Sequence, residues 1–321
     1  MTVLKYIFKR FLMMIPTLLG VILILNIILT LAPGDPARLI LGNDATVEQL
    51  EEFREEHGLN DPFLVRYLSY VGNLLRGDMG SSYRTRKPVF QMVMSRYPTT
   101  ITFAVCSTAI MLLVGLPLGI LSAVKPYSLL DNVSVAIGMI GISMPAFWLG
   151  LILILIFSVR LGWLPSSGYT SWKHMILPAL TLGLGNAATL MRMTRSSMLE
   201  CIRQDYVKTA RAKGQTNSAV ILHHVFRNAL IPIMTVVGMT FAGTLGGSAV
   251  LETVFTIRGL GKLTIDSINS RDYPVVLGAI LIISFTTGVI NLVIDILYAV
   301  VDPRIKSTFA KSKKKQRGSV L

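Results

Sequence analysis

Charge and cysteine are what this sequence has least of. Only 15% of its 321 residues are Asp, Glu, Lys or Arg, while 52% are hydrophobic, against about a quarter charged in an ordinary soluble domain. The two cysteines, Cys106 in an apolar run and Cys201 in a basic loop, do not imply a disulfide framework. The adjacent His223 and His224 lack the i, i+4 spacing that sets two ligands on one helix face, and no Cys or acid cluster joins them. A phosphate loop is missing too, since Gly259-Leu260-Gly261-Lys262 lacks the first glycine of G-x-x-x-x-G-K. Within the apolar runs ionisable residues are nearly absent: Arg192 and Asp295 stand near one end, Glu252 near the other, and the remaining polar candidates, such as Ser143, Asn186 and Asn291, are neutral. A proton-coupled carrier or a membrane protease needs a titratable or nucleophilic constellation at membrane depth. Any energy for transport therefore has to come from outside this chain.

What is present is length without charge. Six apolar runs stand out: Phe11 to Ala32, Tyr97 to Val124, Asn132 to Val159, Met175 to Met191, Asn228 to Leu251 and Tyr273 to Ile294. A helix needs roughly 18 or more such residues to cross the ~30 Å hydrocarbon core. A β-barrel would show short alternating segments instead, and the bilayer tolerates no third arrangement because it cannot satisfy bare backbone polar groups. The runs predict an all-α integral membrane protein with six transmembrane helices. The first reads as a retained helix, being about twice a signal-peptide core and lacking a small-x-small cleavage site before Pro33-Gly34-Asp35-Pro36.

The net charge of +14 suggests nucleic acid only until the charges are located. Arg304 to Arg317 holds seven Lys or Arg and no acid; Lys5, Lys9 and Arg10 precede the first run; Arg195, Arg203, Lys208, Arg211, Lys213 and Arg227 lie between the fourth and fifth. Alternating helices put these three places on one side, and the positive-inside rule makes that side cytoplasmic, with both termini. The partner of this charge is a membrane surface rather than nucleic acid. The opposite loops are weaker evidence, with Arg160 and Lys173 in one and Arg258, Lys262 and Arg271 in the other. The segment 33–96, with eight basic and nine acidic residues, is too long to obey the rule.

That segment is patterned. Thr46-Val47-Glu48-Gln49-Leu50 starts an acid-rich amphipathic stretch ending near His57-Gly58, and Leu64, Tyr67, Leu68, Val71 and Leu75 recur at helical spacing within Phe63 to Leu75. The two predict a small helical lid on the outer face, either meeting a soluble partner or serving as a folded connector. Gly115 with Gly119, and Gly243 with Gly247, have the spacing that lets helix backbones approach. Pro117, Pro145 and Pro178 imply kinks or breaks.

Between the fourth and fifth runs Asp205 reads as an N-cap, Tyr206 to Lys213 as a short helix and Gly214 as its stop. A second helix starts near Asn217 or Ser218, with Ile221, Val225, Ala229, Leu222, Phe226 and Leu230 making one apolar stripe while Arg227 and Asn228 face elsewhere. Such a projecting pair of helices suits either a groove on a cytoplasmic partner or the surface of anionic lipid.

YVKTARAKG at Tyr206 to Gly214 and FRNALIP at Phe226 to Pro232 resemble the coupling loop of bacterial dipeptide and oligopeptide ABC-importer permeases, specifically the B-type subunit. The likeness continues through APGDP (Ala32 to Pro36), GDMGSSYRTRKPV (Gly77 to Val89), ISMPAFWLG (Ile142 to Gly150), LGWLPSSGY (Leu161 to Tyr169) and RDYPVVLGA (Arg271 to Ala279). Two departures stand out. The general importer motif opens Glu-Ala-Ala where this chain has Lys208, Thr209 and Ala210, so only Ala210 and Gly214 carry over directly, and Arg258 replaces the usual proline before Gly-Leu-Gly.

The resemblance implies a type I ABC importer transmembrane domain in a bacterial inner membrane, with 1–32 a first helix, 33–96 an extracytoplasmic helical loop, 97–302 the pore-forming domain and 303–321 a basic tail. Its implied partners are a second homologous permease, two ATP-binding subunits, an extracytoplasmic substrate-binding protein and membrane lipid. It implies no catalysis or cofactor in this chain; ATP and Mg would sit on the partner subunits. The coupling loop, 196–230, would act through Asp205, Tyr206, Thr209, Ala210, Arg211, Ala212, Gly214, Arg227, Asn228 and Pro232. Similar subunits carry peptides, glutathione or nickel chelates; the competing reading is a carrier working alone.

Overall fold

Long apolar sequence makes long helices here, and their polar ends carry them beyond the runs. The computed structural model describes residues 3–31 and 33–301; Ala32 and the basic tail from Arg304 lie outside the described residues. Sixteen successive helical segments occur among them, with no named strand. The membrane helices are α1 (Val3–Leu31), α5 (Val89–Val124), α8 (Lys173–Ile202), α11 (Arg227–Gly247) and α14 (Tyr273–Val301), together with a bent pair. Hydroxyls and amides in the spans turn back onto their own helix: Asn26 donates to Ile22 O (3.0 Å), Thr181 to Leu177 O (2.7 Å) and Thr235 to Ile231 O (2.8 Å). These three side chains are thereby satisfied without a partner from another helix.

The run from Asn132 to Val159 is not one helix. It forms α6 (Leu129–Ser143) and α7 (Ala146–Leu153), the latter continuing as a π-helical stretch Ile154–Arg160, and the two limbs are bent by 104°. Pro145 has no N–H to give the α6 ladder and forces Met144 to an extended ψ of 129°. The limbs nevertheless climb α8 in order. Asp131 holds Arg195, Gly138 abuts Met191, Gly141 abuts Ala188 and Gly150 meets Thr181. The pair therefore runs beside α8 from Arg195 to Thr181 and counts as one broken crossing, which makes six among the described residues.

α5 and α8 form the central contact. A Cβ on Gly115 would stand 2.6 Å from Ala187 O, one on Gly119 2.6 Å from the Thr194 Cβ, and one on Gly183 2.8 Å from Ser107 O. Gly243, by contrast, has nothing within 4 Å of its missing Cβ, so the expected close approach there does not occur within this chain. Gly243 lies on an exposed part of α11 instead.

The segment before α5 folds into a cap at the end where α14 begins. It contains α2 (Pro36–Leu41), α3 (Val47–Glu56) and α4 (Phe63–Leu75). Asp35 caps α2 by accepting from Ala37 N (3.0 Å), and Thr46 and Gln49 form a reciprocal capping box on α3. The three distant motifs around residues 33, 82 and 272 meet here. Arg271 donates to Pro33 O and lies against Gly34, whose φ of +110° leaves no place for a side chain. Asp272 accepts from Ser82 Oγ (2.5 Å) and Tyr83 N (3.0 Å); Phe53 stacks on His57, both meet Tyr83 edge-on, and Tyr83 lies tilted to Tyr273. Segments far apart in sequence are thereby tied together at one place in the cap.

Candidate functional site: the knob after α8

α8 ends at Ile202, and Gln204 takes an extended conformation (ψ 150°) that starts α9 (Asp205–Ala212). The N-cap is Gln204, not Asp205. Asp205 is the first helical residue, and its carboxylate binds Lys208 Nζ at 2.9 Å instead of a backbone amide. That hydrogen bond and the Lys208 charge hold the exposed Asp205 carboxyl below its ordinary value. Gly214, at φ +77°, reverses the chain after α9 with open space about it. α10 (Asn217–Ala219) then runs through a π-helical stretch, Val220–Phe226, into α11. Such widened turns concentrate at functional positions.

Burial separates the ten expected residues into three groups. Asp205, Tyr206, Thr209, Arg211, Ala212 and Gly214 are exposed and share the knob. Ala210 faces inward with Val207, and both pack with Met198, Val220, Ile221, Val225 and Ala229 in one core that also reaches Met111 of α5 and Leu190 of α8. Arg227 and Asn228 are exposed at the start of α11, while Pro232 lies half-buried one turn further along, inside the helix. Pro232 has no N–H for the Asn228 carbonyl, so its place is in the helix and not on the knob.

The stripe is narrower than expected. Ile221, Val225 and Ala229 are buried, but Leu222 is 54% exposed because the π-helical turns rotate it away from the core. Val207 and the staple from His224 Nε2 to Gln215 Oε1 (2.7 Å) were not foreseen; the apolar position between Tyr206 and Lys208 is the signal that could have found the first. Desolvation, helped by a hydrogen bond with Cys201, pushes the Tyr206 hydroxyl up to about 12, and Asn228 reaches the same ring's oxygen. The exposed surface thus carries Arg203, Lys208, Arg211, Lys213 and Arg227 on a platform fixed to α5, α8 and α11. Through Val207 and Ala210, α9 packs into a core shared with α5, α8 and α11.

The fold and the knob together define a multi-crossing membrane protein with a structured, basic helical loop at one end. The family described as "Binding-protein-dependent transport system inner membrane component" matches residues 115–307, its N-terminal companion matches residues 3–104, and the chain belongs to this family. The oligopeptide transport system permease protein AppB of Bacillus subtilis (strain 168) is 43% identical over 312 residues, with 94% of this chain and 99% of that one covered. The glutathione transport system permease protein GsiC of Escherichia coli (strain K12) is 44% identical over 303 residues with the same shares. The MetNI methionine ABC transporter, solved in inward-facing form, gives a TM-score of 0.56 at 22% identity over 66% of this chain and 97% of its own. An amino acid ABC transporter gives 0.53 at 16% identity over 65% and 93%. Both share the fold of a type I importer's membrane subunit.

Proposed function

We propose that this chain forms half of a translocation pore for short peptides and takes its drive from an ATP-binding subunit seated on α9. The observation that carries this reading is the knob itself, whose exposed face belongs to a helix cemented by Val207 and Ala210 to the membrane core. AppB and GsiC are named for oligopeptides and glutathione, and glutathione is itself a tripeptide, so both point to peptide-sized cargo. The second half of the pore would be a homologous permease, with two ATP-binding subunits on the cytoplasmic side and a binding protein delivering cargo to the other. On this reading 33–96 caps the outer face, 97–302 builds the pore and 196–230 couples it, in a bacterial inner membrane. ATP binding draws the two ATPases together, carries both knobs inward and opens the pore outward; hydrolysis reverses the bias. The cycle requires only that ATP bind one conformation better than the other.

Gly214→Asp tests the coupling. Asp is among the side chains that best tolerate positive φ, and no atom of this chain stands within 4 Å of the position. Membrane insertion and yield should persist while cargo-stimulated ATPase of the assembled transporter is lost and subunit association weakens. Wild-type stimulation would overturn the role of α9. Uptake of labelled dipeptide that survives deletion of this subunit would instead overturn the cargo.

A further inference from the structure

The helix α4 has three faces, of which two have partners. Phe63, Tyr67, Tyr70 and Leu74 turn toward α1 and its surroundings: Tyr70 packs with Leu25, Leu29 and Tyr273, and the Tyr67 hydroxyl lies 3.4 Å from the Leu19 carbonyl. Arg66, Ser69 and Asn73 line a polar cavity of about 440 Å³ shared with His57, Asp61 and Tyr83. The third face holds Leu64, Val65, Leu68 and Leu75, which are 62%, 50%, 58% and 85% exposed. At 100° per residue Leu64, Leu68, Val71 and Leu75 fall within a narrow arc with no charge on it.

We infer that this face lies in the lipid, and that α4 is a membrane-interface helix in the leaflet on the cap side rather than a lid exposed to water. Depth is the first argument. Leu19 is twelve residues inside the end of α1 at Leu31, or about 18 Å along the axis. A tyrosine side chain extends only about 6.5 Å from its Cα, so α4 sits below the outer end of α1, beside a helix whose Ile24 and Ile28 are 57% and 55% exposed to the same apolar phase.

Orientation is the second argument. The polar arc of Arg66, Ser69 and Asn73 lies across the helix from the apolar arc and opens into the polar cavity, as expected of a helix lying in the interface plane. Its neighbour α3 is the contrast, for it exposes Glu48, Glu51, Glu52, Glu55 and Glu56 and buries only Leu50 and Phe53. The cap therefore divides into a water-facing helix and a lipid-facing one. Seated in the leaflet, α4 couples the cap to the bilayer and ties it to α1.

Nitroxide labels on single cysteines test this in the assembled transporter in liposomes, starting from a Cys106→Ser, Cys201→Ser parent. At Leu64→Cys and Leu68→Cys the ratio of oxygen to nickel-chelate accessibility should exceed that at Glu48→Cys severalfold. A nickel-favoured ratio at both sites would overturn the inference in favour of water, and shielding from both reagents would overturn it in favour of a protein partner. Because labels can perturb, a lipid-dissolved carbene reagent provides a second reading on the unsubstituted complex. The peptide 63–75 should be labelled and 47–56 spared; the reverse pattern contradicts the assignment.

Discussion

Gly115 and Gly119 are where a single atom decides the packing of the membrane core. With Ala187 O at 2.6 Å from a Cβ on Gly115, even Gly115→Ala pushes backbone against backbone. Gly115→Leu should lower stability by about 3 kcal/mol or misassemble, at the upper end of the ~1–3 kcal/mol of overpacking, whereas Gly243→Ala, with open space, should be neutral in detergent melting of the isolated subunit. Glu252 is the second such residue. Fully buried, it accepts from Thr100 Oγ1 (3.1 Å), Ser248 Oγ (3.0 Å) and Lys262 N (2.7 Å), and so holds the start of α13 (Leu260–Asn269). Gly259 lies against this carboxylate and Gly261 against Ala249, which explains Gly-Leu-Gly-Lys as a tight turn around an acid; Arg258, exposed beside it, leaves that turn intact. Glu252→Ala strands two buried hydroxyl donors, and the melting shift should correspond to a loss of ~2–6 kcal/mol, at ~1–3 kcal/mol for each unsatisfied group. An unchanged melt would refute the cap.

At the scale of the element, the cap is held by Asp35, which receives Arg54 at 2.6 Å, and by Glu51, which receives the same guanidinium at 2.7 Å. Burial pulls the Asp35 carboxyl up, but the bonds from Arg54 and Ala37 N and the charges of Arg54 and Arg38 outweigh it and hold it below 3.8. A depressed acid stabilises above its unfolded pKa and loses that contribution as pH falls through the folded one. Amide protection in α2 and α3, corrected for intrinsic exchange, should therefore be flat from neutral to about pH 4 and fall below it; a loss near pH 6 would contradict the pairing. The bent third span is fixed from its other end by Asp131, which accepts from Arg195 Nε and Nη2 at 2.7 and 2.8 Å. Asp131→Asn should cost about 2 kcal/mol, short of the ~3–5 of a fully buried pair, because the Arg195 side chain stays 25% exposed.

Helices were the legible part of the sequence, since hydropathy and caps are local: Thr46 with an acid in the next turn, Glu48, announced α3, and Gly214 the end of α9. What lay beyond reading was tertiary. Pro145 signalled a kink, but whether the chain bends slightly or by 104° depends on what α7 packs against. Asp131 and Arg195 are 64 positions apart, and each reads alone as an ordinary loop charge. Of the residues expected to couple, exposure of Thr209 and burial of Ala210 follow from which side of α9 meets Val220 and Val225; a sequence motif does not contain that side.

For the whole molecule, the knob after α8 shares its core with α5, α8 and α11, and the broken third span packs along α8. The central claim is that the mover is an ATP-binding subunit touching the exposed face of α9. A photo-crosslinker placed at Thr209 in the assembled, membrane-embedded transporter measures this directly, with one at Glu48 on the opposite side as reference. The account predicts a covalent adduct between position 209 and the ATP-binding subunit, altered in yield by ATP, and none from position 48. Adducts from position 209 to lipid alone would contradict it.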